Sequence, residues 1–449
     1  MRTLRLRVQG NAAEGFIYMT SLLSLAIAMF AGLMMTRAVK RLQLPDVTAY
    51  LVAGVLIGPC AIGALGIPGV GFSDFEQINE LSVISDVALG FIAFSIGNEF
   101  RMSQLKKTGR QAFVIGVLQA VTATLTVDAA LIALHLLKPD ILSLPAAITL
   151  GAIAAATAPA ATLMVVRQYK AKGELTSLLL PIVALDDAVG LVLFAVSFGV
   201  AKALGSGIVD IFSVVIDPVI EITASLLLGA AAGLALTHIE KYFNSNTNRL
   251  VMTISFVLLT VALSMVNVPL GPVTLGFSPL LVCMMLGCVF CNLCPLSEEI
   301  MSNADRWTAP LLVLFFVISG AQLELGVFRK ASSVLIGLLY ILTRSIGKYF
   351  GARESAKLTG CGKNVVDYLG VTLLPQAGVA LGMCVSASAL PGDGALIRNI
   401  VLFAVLIYEL VGPSATKWAL TKAGDIKPVG EEVIRRRERK LAEAAGKRT

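Results

Sequence analysis

The chain has 449 residues, 56% of them hydrophobic and only 14% charged, with a formal net charge of +7; its mean hydropathy is +0.83. A soluble globular chain carries about 25% charged residues, so this composition excludes a soluble domain of any size and indicates an all-α polytopic membrane protein. The positive charge is not a nucleic-acid signal, because its clusters fall in alternate loops between apolar runs.

Apolar runs of about 20 residues, each long enough to cross a bilayer as a helix, predict about thirteen spans. They lie at 16–36, 46–66, 80–98, 111–136, 145–165, 177–202, 212–238, 249–266, 277–294, 308–328, 332–352, 365–388 and 397–418. Lys and Arg cluster after span one (Arg37, Lys40, Arg41), span three (Arg101, Lys106, Lys107, Arg110), span five (Arg167, Lys170, Lys172) and span eleven (Arg353, Lys357, Lys363). The tail adds Lys427, Arg435, Arg436, Arg437, Arg439 and Lys440, whereas the loops at 59–79 and 267–276 hold no Lys or Arg. The positive-inside rule then places the C-terminus in the cytoplasm, in a plasma or inner membrane. Thirteen spans put the N-terminus outside, against the charges of Arg2, Arg5 and Arg7.

With span seven set aside as a connector (203–245), six spans in 1–202 face six in 246–420, and 421–449 form a basic cytoplasmic tail. Equivalent spans are separated by an odd number of crossings, so the halves have opposite orientation, the inverted repeat of secondary transporters. The fifth span of each half is interrupted: Ala156-Thr157-Ala158-Pro159-Ala160 in one, Leu374-Pro375-Gln376-Ala377-Gly378 in the other. Proline removes a backbone donor and breaks a helix. Membranes tolerate such breaks where protein or a water-filled cavity satisfies the freed groups. Two crossed broken helices would bring half-helix termini together near the midplane, each carrying about half an elementary charge for side chains to compensate.

The sixth span carries adjacent acids, Asp186 and Asp187, inside an apolar run. A carboxylate at that depth costs about 2.5–3.5 kcal/mol on the insertion scale, and two side by side repel. The pair is expected to bind protons, cations or both, titrating as a coupled unit. Thr157, beside the first break, offers hydroxyl and carbonyl oxygens; Gln376, beside the second, offers an amide. Against them stands the plainer reading of side chains that bond their own backbone.

Span eleven supplies cations. Arg344 and Lys348 are four residues apart and share one helix face. Arg344 lies deeper and is the expected partner of Asp186, acting as a fixed counter-charge because a guanidinium does not deprotonate; Lys348 is as readily explained by snorkelling to the membrane edge. Asp86, Asp128 and Glu99 read as structural or vestibule charges, and Glu409 in span thirteen is a candidate to bond a neighbouring helix, its role left open. Cys288, Cys291 and Cys294 have a cluster-like spacing but no fourth ligand, and two histidines, His135 and His238, exclude a multi-histidine metal site. No phosphate-cradling motif, enzyme motif or cofactor site is present.

In this order, Tyr50 to Pro59, Thr157-Ala-Pro159, Ala184-Leu-Asp-Asp187, Phe315 to Gly320, Arg344-Ser-Ile-Gly347 and Leu374 to Gly382 resemble the monovalent cation:proton antiporter-2 family, which includes sodium/proton exchangers and Kef-type potassium systems. The resemblance implies a six-helix core with two crossed broken helices beside a dimerisation domain, a homodimer, and an elevator-like movement. It implies Asp187 as the ion- and proton-carrying carboxylate and Asp186 paired with the basic residue of span eleven, here Arg344. Relatives with paired aspartates often carry Lys at that place, so schemes in which the Lys releases a proton do not transfer. The expected function is exchange of Na⁺, K⁺ or both for protons by alternating access, serving pH homeostasis. The alternatives are a Kef-like cation channel and a sodium-coupled organic solute symporter, the latter disfavoured because paired aspartates repel an anionic substrate.

Overall fold

The computed structural model describes residues 22–39, 46–67, 71–158, 165–166, 169–205, 211–266, 268–270 and 273–426, together with Met19 and Thr162. Pro159, expected to break span five, lies outside the described residues, as does the basic tail from 427.

In chain order the helices are α1 (Leu22–Val39), α2 (Asp46–Ile57), α3 (Ser82–Gly97), α4 (Met102–Leu137), α5 (Leu144–Ile153), α6 (Glu174–Gly205), α7 (Ile211–Ile239), α8 (Asn246–Ser264), α9 (Pro279–Leu293), α10 (Ser297–Ala321), α11 (Ala331–Leu358), α12 (Lys363–Thr372), α13 (Gly378–Ala387) and α14 (Gly394–Ala423). A short antiparallel ladder, Val268–Leu270 against Val273–Leu275, joins α8 to α9.

Among the described residues, ten helices are long and apolar enough to cross a membrane, against the thirteen spans expected. The difference is physical. The fifth and twelfth spans are interrupted, leaving α5, α12 and α13 at ten residues each, and α9 stops after 15 residues just before Cys294-Pro295. Outward positions carry Leu125, Leu227 and Phe30, each more than 60% exposed, the arrangement of a protein whose surface faces lipid.

Glycines set the closest helix approaches. A Cβ on Gly97 of α3 would strike the Met284 carbonyl of α9, and one on Gly287 of α9 would strike the Phe94 carbonyl. Between α2 and α10 the same exchange recurs: Gly54 against the Val317 carbonyl, Gly320 against the Leu51 carbonyl. In both pairs each glycine lies against the residue three before its partner glycine, so α3 with α9 and α10 with α2 are matching contacts. Gly347 and Gly351 bring α11 onto α4, at Ala123 and Gln119 respectively. This last contact aligns the polar side chains at the centre of the molecule.

Candidate functional site

Two helix breaks build the site. Ser143 caps α5, its hydroxyl accepting from Ala146 N at 3.1 Å, and Pro145 occupies the first turn, where its missing N–H is harmless. The helix runs only to Ile153. Thr157 and Ala158 then lie outside any helix, as suits a residue preceding proline. On the other side α12 ends at Thr372, and the chain stays non-helical through Pro375 and Gln376 before α13 begins at Gly378. The two breaks cross: Ala158 N donates to the Pro375 carbonyl at 2.8 Å. Thr157 Oγ1 reaches the Leu373 carbonyl at 3.3 Å and Thr162 Oγ1 the Thr372 carbonyl at 3.3 Å.

Helix α11 passes this crossing and supplies both cations, each fully buried. Arg344 does not pair with Asp186 as the sequence suggests. Its Nε donates to Ala154 O at 3.0 Å, Nη1 to Leu374 O at 2.8 Å and Nη2 to Ala156 O at 2.6 Å. Its guanidinium also lies 4.5 Å from the centroid of the Tyr408 ring. The carbonyls at the C-terminal ends of α5 and α12 are orphaned by the breaks and carry partial negative charge. A planar fork of five donors reaches three of them from three separate nitrogens, a spread that the point-like ammonium lacks.

Lys348, one turn further on, is the partner of Asp186. Its Nζ lies 2.7 Å from Asp186 Oδ2 and 2.9 Å from Thr157 Oγ1, and also donates to the Ala155 carbonyl. It is 0% exposed, so it does not snorkel. Lys348, and not Arg344, is therefore the buried counter-charge of Asp186.

The other carboxylate oxygen of Asp186 accepts from Gln119 Nε2 of α4. Gln119 is fully buried and was missed in the sequence, although an amide inside the apolar fourth span is a legible signal. Asp187 follows on α6, 4% exposed and turned by about 100° around the helix from Asp186. Gln376 does not face the carboxylates. Its Nε2 donates to Ile153 O at 2.9 Å and to the Tyr340 hydroxyl at 3.0 Å, which ties the second break to the first and to α11. Tyr340 and Tyr408, neither of them flagged in the sequence, brace this cluster; Tyr408 donates to Ile341 O at 2.7 Å. Glu409 is buried elsewhere on α14, accepting from Thr48 of α2 at 3.3 Å.

The structure therefore brings Asp186, Lys348, Thr157 and the Arg344-held breaks into one buried cluster beside Asp187. Among the described residues, no group of three or more His, Cys, Asp or Glu is placed to hold a metal ion. The arrangement combines a neutralised carboxylate, a second carboxylate on the next residue and the Thr157 hydroxyl, hard oxygen ligands suited to a monovalent cation or a proton.

Comparison with known proteins agrees with this geometry. A family model described as sodium/hydrogen exchanger, transmembrane, matches residues 25–422. The high-affinity Na⁺/H⁺ antiporter NhaS3 of Synechocystis is 23% identical over 425 residues, covering 85% of this chain and 87% of that protein. Cation/H⁺ antiporter 19 of Arabidopsis thaliana is 22% identical, covering 71% of this chain but 39% of its own length. The solved sodium proton antiporter MjNhaP1 of Methanocaldococcus jannaschii at pH 8 superposes with a TM-score of 0.70 at 19% identity, covering 91% of this chain and 99% of that one. With the family match spanning most of its length, the chain belongs to the transmembrane sodium/hydrogen exchanger family.

Proposed function

We propose that this secondary active cation:proton exchanger uses Asp187 as the group that carries its cargo, holding a proton or a monovalent cation (Na⁺, K⁺ or both) in turn. The observation that carries this reading is the buried setting of the acid pair: Asp186 is neutralised by Lys348 and held by Gln119, and Asp187, the next residue of α6, lies beside the crossed breaks at 4% exposure. Thr157, within reach of Lys348 at 2.9 Å, is the further oxygen proposed for the cation. Arg344 holds the breaks in place, and because a guanidinium keeps its charge it takes no part in proton release.

Alternating access follows from electrostatics: an empty, charged site crosses the barrier poorly, whereas a site neutralised by either cargo crosses readily. Residues 1–202 and 246–420 are proposed as the two inverted halves, with 203–245 as connector; the matched glycine contacts of α3 with α9 and α10 with α2 support this. The C-terminus is proposed to be cytoplasmic in a plasma membrane on the loop-charge pattern, and the assembly to be a homodimer. The decisive test is Asp187→Asn in proteoliposomes. A pH-gradient dequenching assay with Na⁺, K⁺ and Li⁺ added in turn is expected to show no exchange. Undiminished exchange in the correctly inserted variant would overturn the assignment.

A further inference from the structure

Helix α4 carries two polar side chains that the exchange site does not use. Asp128 Oδ1 and Thr124 Oγ1 are both buried and have no hydrogen-bond partner. Thr124 is 5% exposed; Asp128 is half-buried. The two are four residues apart and therefore share a face of the helix. The Thr124 hydroxyl stands out from its neighbours. A threonine in a helix ordinarily bonds back to the carbonyl four residues before it, and on this same helix Thr122 bonds Leu118 O at 2.7 Å and Thr126 bonds Thr122 O at 2.7 Å. Thr124 does not.

The facing helix leaves room for the carboxylate. A Cβ on Gly151 of α5 would land on the Asp128 carboxyl group, so only glycine admits it there. Among the described residues Asp128 forms no ion pair. A carboxylate oxygen buried with neither counter-ion nor donor is expensive, and this one sits in a span.

We infer that Thr124 and Asp128 form a second binding station for a monovalent cation, separate from the Asp186–Asp187 cluster, with the carboxylate and the hydroxyl as its ligands. Its place in transport, as a waypoint for cargo entering or leaving Asp187, rests on the exchange proposed above; the binding itself does not.

The test is thermal unfolding of the full chain in detergent, with choline chloride replaced by NaCl or KCl at constant ionic strength. A ligand that binds the native state raises the melting temperature by mass action. The Asp187→Asn variant, which silences the first site, is expected to keep a saturable cation-dependent rise in Tm. Adding Asp128→Asn or the near-isosteric Thr124→Val to it is expected to abolish that rise, and Gly151→Ala to reduce it by closing the cradle. The inference is overturned if Asp187→Asn alone shows no rise, or if the rise survives both Asp128→Asn and Thr124→Val. Exchange measured in Asp187→Asn judges the first site separately, so the two readings fail by different readouts.

Discussion

The ion pair between Lys348 and Asp186 can be isolated by a double-mutant cycle. Both side chains are 0% exposed, and the ammonium lies 2.7 Å from the carboxylate. Lys348→Met removes the charge and also the donor to Thr157 Oγ1 and Ala155 O. It leaves the Asp186 carboxylate buried with Gln119 alone, and stranding one partner of a buried pair costs about 3–5 kcal/mol. Asp186→Asn strands the ammonium at a similar cost. In the double variant neither charge is left uncompensated, so the two effects should fall short of their sum by about 2–3 kcal/mol, the upper range for residues in one network. The same cycle with Arg344→Met in place of Lys348→Met should be additive with Asp186→Asn to within about 0.5 kcal/mol, because Arg344 is committed to carbonyls of the two breaks. Unfolding in mixed micelles of rising SDS content gives the four free energies of each cycle. Additivity for Lys348, or strong coupling for Arg344, would refute the assignment of partners.

Three further outcomes are expected. Arg344→Lys keeps the charge but cannot span three carbonyls, so it should lose about 1.5–3 kcal/mol for each bond left unmade and impair exchange; SDS unfolding and the dequenching assay report the two effects. Gln119→Leu, close in volume, removes a donor to a charged carboxylate and should destabilise by about 1.5–3 kcal/mol, with the loss read by the same unfolding measurement and absent in an Asp186→Asn background. Gly287→Ala drives a methyl into the Phe94 carbonyl; the α3–α9 contact must open, at about 1–3 kcal/mol or more, visible as a lowered melting temperature, whereas Gly326→Ala, with open space around it, should change little.

The site was partly legible because its residues violate their surroundings. Asp186 and Asp187 interrupt an apolar run, and Pro375 interrupts another; such residues in a span announce themselves by cost. Gln119 was equally legible in principle and was passed over because a neutral amide disturbs an apolar run less than a charge. Partnership was not legible. Depth along α11 favoured Arg344 for Asp186, but depth does not report the competing demand of orphaned carbonyls, which exist only once two breaks cross. Lys348 and Asp186 are 162 residues apart in the chain, and their meeting depends on how α11 is rotated against α4.

By itself the sequence determined the solvent in which this protein folds, since an apolar fraction of 56% leaves too little polar surface for water, and it determined where carboxylates and helix breaks must lie along the chain. Only the tertiary structure decided which cation meets which acid. That choice is made by the glycine-close packing of α4 on α11, which fixes the rotation of each helix and so directs one side chain to the broken backbone and the next, a turn away, to the carboxylate.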